Sequence, residues 1–220
     1  MPIPDLLFHT LLTVIDFHTD TSGATRTVYV LGTHTTLSTA KTFSTKALHT
    51  LGYEPDDFET YDVKTPETAS KWTHGDGTIV YAKAPAGQEF VISIDTTPNN
   101  ENLPEGEGDS VRLPPGHESL HYVLQTKTDY NQDRSGAFQS TEIEGCYVNR
   151  MNAYDAAKKA LSGMDMEAFQ QYDERDSADE KGQWPFGEDV VVHAVADTGE
   201  NYSIAVRTIP GAHKRYSKKK

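Results

Sequence analysis

The sequence predicts an α+β protein built from a tandem duplication of one β-β-α-β-β module. Three observations carry this. The stretch from Leu7 to Pro98 and the stretch from Leu120 to Pro210 match in order and spacing. Both copies hold strand-like runs rich in β-branched and aromatic residues, closed by turn-forming clusters. Each copy also carries a single stripe of small residues at helical spacing between those runs.

The match begins without a gap. Asp16, Asp20, Ser22-Gly23-Ala24, Gly32, Ala40 and Ala47-Leu48 recur 113 positions on as Asp129, Asp133, Ser135-Gly136-Ala137, Gly145, Ala153 and Ala160-Leu161. After a short slip, Phe58, Tyr61 and Asp62 meet Phe169, Tyr172 and Asp173. Trp72 and Gly75 meet Trp184 and Gly187, Gly87 meets Gly199, and Thr96 and Pro98 meet Thr208 and Pro210.

In the second copy, His121 to Tyr130 has strand composition and length. Asn131 to Ala137 is dense in turn formers and closes a hairpin onto a second strand, Phe138 to Val148. Gly145, like Gly32, interrupts that strand, which predicts a bulge or backbone packed closely against a helix. A helix follows, with Asn152 and Thr39 as candidate N-caps. Its stripe is Ala153, Ala156, Ala157, Ala160 and Leu161 in one copy and Ala40, Phe43, Ser44, Ala47 and Leu48 in the other. Gly163 and Gly52 stand near the helix ends, where a left-handed cap is expected. The three-residue spacing of Phe169 and Tyr172 predicts a shorter helical segment over Glu167–Glu174, with Asp56–Val63 as its counterpart. Two strands close each copy, Thr78–Ala84 with Glu89–Thr96, and Asp189–Ala196 with Asn201–Ile209.

The module boundaries expected are 1–99 and 119–212, separated by an acidic, proline-rich linker over 100–118 and followed by a basic tail over 213–220. Antiparallel sheets with helices on one face leave the other face in need of cover, so a pseudo-twofold packing of the modules is expected. A monomer with that symmetry or a weak homodimer would satisfy it.

Net charge is −13, and only the tail His213–Lys220 is basic. The acidic body would repel nucleic acid and anionic membranes. No apolar run approaches the roughly 20 residues that span a bilayer. Met1 to Asp5 has no basic region, so the following apolar stretch reads as a strand rather than a signal peptide. One cysteine, Cys146, fits a reducing compartment. A cytoplasmic location is expected, or a nuclear one if the tail is an import signal.

Chemistry has few places to sit. Asp16-Phe17-His18-Thr19-Asp20 and Asp129-Tyr130-Asn131-Gln132-Asp133 put possible ligands at every second position, like the opening of a calcium loop. Their glycines fall too late for that loop, and Asp and Asn are also ordinary turn formers. His117-Glu118-Ser119-Leu120-His121 matches the HExxH zinc pattern, which needs both histidines on one helix face. Pro114-Pro115-Gly116 precedes it and His121 opens a strand, so the context disfavours zinc. Five histidines (His9, His34, His74, His121 and His193) stand opposite aromatic rings in the other copy, as packing positions tolerate and metal ligands do not. Cys146 stands opposite Thr33 and reads as a small buried residue. No phosphate loop, dinucleotide fingerprint or nucleophile elbow is present.

The leading expectation is a non-enzymatic intracellular protein, without cofactor, that binds a protein or small-molecule partner through an inter-module surface or pocket. Trp72, His74, Trp184 and Phe186 are its candidate ligand-binding residues. The alternative is a small enzyme using His18, His34, Asp16 or Asp20 of the first copy. The weaker expectations are calcium at the hairpins (Asp16, Asp20, Asp129, Asn131, Asp133) and zinc at His117 and His121.

Overall fold

A computed structural model describes residues 2–176 and 184–208. The basic tail 213–220 and the strand residue Ile209 lie outside them. The described chain divides into two compact units, one ending at Arg112 and the other running from Leu113 to Thr208. No helix among the described residues is long and apolar enough to cross a membrane.

The first unit contains β1 (Leu6–Asp16), β2 (Arg26–His34), α1 (Leu37–Thr50), β3 (Thr60–Val63), β4 (Thr78–Lys83) and β5 (Gln88–Pro98). Its sheet has the order β2-β1-β5-β4-β3, and every neighbouring pair is antiparallel. The second unit repeats this with β6 (His121–Asp129), β7 (Gln139–Tyr147), α2 (Arg150–Lys159), β8 (Phe169–Glu174), β9 (Val190–Ala196) and β10 (Glu200–Thr208), in the order β7-β6-β10-β9-β8. The fold is α+β, as the sequence predicts.

Each module has one strand more than expected. The segments Asp56–Val63 and Glu167–Glu174 are not helical. Each is a single 3-10 turn, Pro55–Asp57 or Met166–Ala168, leading into an edge strand. The misleading signal has a physical cause. A register irregularity between Phe169 and Gln171 shifts the pleat by one residue, so Phe169 and Tyr172, three apart, both pack on the core.

Each helix begins one turn earlier than expected. The N-caps are Thr36, whose side chain accepts from Thr39 N–H, and Asn149, which accepts from Met151 N–H. The small-residue stripes do face the sheets. Ala40, Ser44 and Ala47 are buried in α1, and Ala153 and Ala157 in α2. Against them pack Leu12, Leu31, Val80 and Ile92 in the first unit and Val123, Val192 and Ile204 in the second. Each fully buried aliphatic of this kind contributes about 1.5–3 kcal/mol.

Gly32 and Gly145 mark register shifts in both hairpins, between Thr10 and Leu11 and between Val123 and Leu124. The ring of the residue two positions on lies over each glycine. A Cβ on Gly32 would come within 3.2 Å of the His34 ring and the Phe43 ring, and one on Gly145 within 2.9 Å of the Tyr147 hydroxyl.

Residues 99–112 fold against the first unit. The Asn99 side chain donates to Pro4 O and Leu103 O and accepts from Leu103 N–H, and Leu103 is buried. Glu105 N–H donates to Pro2 O, and Asp109 O accepts from Thr35 N–H.

Candidate functional site

The hairpin aspartates serve their own turns. Asp16 accepts from the His18 and Thr19 amides and the Thr19 hydroxyl. Asp20 accepts from the amides and hydroxyls of both Ser22 and Thr25. These bonds hold the Asp20 carboxyl down at about 2, with Ser22 the largest contributor. Asp129 accepts from Asn131 N–H and the Gln132 side chain, and Asp133 from Ser135. Asn131 also donates to Thr198 O, tying this hairpin to the β9–β10 turn.

His34 is not with them. It ends β2, whereas His18, Asp16 and Asp20 lie beyond its other end. Eight residues of strand span about 26 Å, so the four candidates for catalysis do not converge. His34 instead packs at a tilt against Phe43 of α1, centroids 4.9 Å and planes 49° apart. His9 is fully buried on β1 between the Thr33 and Thr97 hydroxyls, 2.9 and 2.8 Å from its ring nitrogens. Burial, with a lesser contribution from His34, holds its pKa down at about 3, so it is neutral.

At the HExxH match no helix forms. His117 accompanies a turn begun by Pro114, and His121 opens β6, bonded to Thr208. The two histidines therefore do not share a helix face. Among the described residues, no three His, Cys, Asp or Glu side chains gather where a metal could be held.

The tryptophan loops do form a built cluster. On β4, Val80 and Ala82 face the helix with Phe90 and Ile92, so Tyr81 between them faces the other way. The long β3–β4 connection folds back over Tyr81. His74 lies flat on it, centroids 4.1 Å apart and planes 9° apart. Trp72 meets His74 edge-on at 4.9 Å. The Trp72 indole N–H donates to Gly75 O, which closes the loop, and Lys64 Nζ stands 5.9 Å from the indole centroid. Asp62, opposite Tyr81 in the β3–β4 register, bonds His74 Nε2 at 2.8 Å. Burial, then hydrogen bonding and charge from Glu89 and the charge of Asp62, push the Tyr81 phenol up to about 12.

The second module builds the same arrangement from different residues. Phe186 lies on His193 of β9, centroids 4.1 Å apart and planes 16° apart, and Trp184 meets Phe186 at 5.0 Å. Asp173 stands opposite His193 in register, as Asp62 stands opposite Tyr81. Burial lowers the His193 pKa and Asp173 partly restores it. Lys64 N–H donates to Ile79 O and Arg175 N–H to Val191 O, matching cations at the matching strand exit. Thus Trp72, His74, Trp184 and Phe186 come together pairwise within each module. Tyr81, His193, Asp62 and Asp173 join them, though none is among the site residues that the sequence singles out. Their signal was present in the aligned pair Tyr81 and His193 and in the aspartate common to both copies.

The arrangement offers faces for binding: an indole edge, a ring stacked on the sheet, a carboxylate and a cation. Compared with protein-family models, curated proteins and solved structures, the chain matches none of them.

Proposed function

We propose that this is a non-enzymatic, intracellular binding protein, and that each module takes its protein or small-molecule partner on the tryptophan loop and the sheet face beneath it. One observation carries the reading. The stack of tryptophan, planar ring and strand-borne ring is built in both modules from different residues, Trp72–His74–Tyr81 and Trp184–Phe186–His193. A duplicated plug needs only its bulk. Here the order of histidine and carbocyclic ring is inverted while the aspartate is kept, which gives two related surfaces of different polarity. Trp72 and His74 are only partly buried, with the His74 side chain 23% and its Asp62 partner 48% exposed. Aromatic and cationic side chains of this kind dominate recognition surfaces. The enzymatic alternative draws no support from residues standing at opposite ends of β2.

The test is a titration of the isotope-labelled full chain with a panel of aromatic, cationic and acidic amino-acid amides, followed by NMR. Binding at the loops shifts the two indole N–H signals, and Trp72→Ala or Trp184→Ala removes the response of its own module. A response that appears elsewhere and survives both substitutions would overturn the proposal, as would indole signals unmoved by every probe.

A further inference from the structure

The segment 99–112 carries an inference separate from the tryptophan loops. Asp109 attaches it to the first turn of α1. Asp109 adopts a left-handed φ of 56°, rare for a residue with a Cβ. In that pose its carboxylate accepts from the Thr39 hydroxyl at 2.5 Å and the Thr36 hydroxyl at 3.1 Å. Its carbonyl accepts from the Thr35 amide at 2.9 Å and the Thr35 hydroxyl at 3.1 Å. A negative charge at the first turn of α1 also suits the helix dipole.

Beside this attachment stands His34. Its backbone bridges to Ser110, directly after Asp109. Its ring is pressed between Gly32 and Phe43, and both ring nitrogens are buried without a hydrogen-bond partner among the described residues. A neutral imidazole tolerates this at some cost, but an imidazolium does not, because it needs an acceptor.

We propose that residues 99–112 are an acid-released strap: protonation of the buried His34 ring, which has no acceptor among the described residues, drives it out to water, and the His34–Ser110 bridge and the Asp109 contacts at the N-terminus of α1 are lost with it. The groups that face the switch are few. Asp109 faces His34 from the strap, His9 from β1 and the uncharged Phe43 from α1, while Glu105 faces Asp109. Asp109 is held below its ordinary range by Thr39 and Thr36, so it stays ionised while His34 titrates. His9, at about 3, stays neutral above that value. Burial lowers the His34 pKa from 6.5, and Asp109 only partly opposes this. The open strap restores the ordinary value, so the closed form loses stability as pH falls from 6.5 toward the lowered value, and the loss is complete below it. The strap leads directly into the second unit, so its release frees chain just before Leu113.

Amide hydrogen exchange on the full chain tests this, corrected for intrinsic rate and read from about pH 7.5 down to about pH 4. Protection of the Thr35 amide falls at least tenfold and stays below that of the Leu12 amide in the β1–β5 ladder, which reports opening of the whole unit. His34→Gln, which cannot take up the proton, flattens the Thr35 profile. Asp109→Asn lowers Thr35 protection already at neutral pH. In the wild type, the Thr35 loss levels off at the midpoint of the His34 ring titration followed by NMR. Constant Thr35 protection, an equal loss in His34→Gln, or a loss that continues unchanged below the His34 midpoint would overturn the strap.

Discussion

His74 rests face to face on Tyr81, 4.1 Å between ring centroids, and Phe186 rests on His193 at the same distance. In each case a loop residue is seated on a strand residue that points away from the helix. The seat holds the loop, so its removal should be felt as stability. Tyr81→Ala and His193→Ala each lower stability by about 1–2 kcal/mol, the range of an aromatic pair plus its lost burial. Urea unfolding of the single variants would show it. A change under about 0.3 kcal/mol in both would mean that the loops are held elsewhere.

The phenol of Tyr81 should ionise well above the ordinary tyrosine range. Burial, Glu89 and Asp62 push it up to about 12. Ultraviolet titration of wild type and Tyr81→Phe then differs only at the alkaline end. Glu89→Gln removes the second-largest cause and moves that late step downward.

His9 makes the first module sensitive to acid. Its folded pKa of about 3 lies below the ordinary 6.5, so between these values the unfolded chain binds the extra proton. Stability is intact above 6.5 and falls with decreasing pH by up to roughly 1.4 kcal/mol per pH unit, until His9 itself protonates. His9→Gln keeps a polar group between Thr33 and Thr97 but removes the titration. Its plot of stability against pH is shallower across the window, and an unchanged slope would assign the acid lability to other groups.

The hairpin carboxylates are occupied by their own turn. Adding calcium should leave the amide signals of Asp16–Thr25 and Asp129–Ala137 in place. Asp20→Ala, which removes four hydrogen-bonded contacts, costs about 1–2 kcal/mol in denaturant unfolding. Calcium-dependent shifts confined to those two loops would contradict this assignment.

Much of the fold was legible because duplication repeats the residues that folding needs. Gly32 and Gly145 announced their bulges, and the alanine stripes announced which helix face meets the sheet. The fifth strand was hidden by a bulge that gave Phe169 and Tyr172 a helical spacing in an extended chain. The helix starts were misplaced by a turn because Thr36 and Thr39 are both polar, and only the backbone distinguishes cap from third helical residue. At the candidate site, the loop residues Trp72, His74, Trp184 and Phe186 could be singled out by type. Their strand partners could not, because the pairing of Asp62 with Tyr81 depends on the register of a strand approached by aromatic residues at helical spacing, Phe58 and Tyr61.

The placement of the two tryptophans has an experimental consequence. The polypeptide holds only these two indoles, one per unit, each against a potential quencher or ring neighbour of a different kind. Replacing one by phenylalanine leaves a natural fluorophore that reports on a single half of the molecule. Each half can then be watched as it melts, without an added dye, and the two emission curves will tell whether the halves come apart together or in turn.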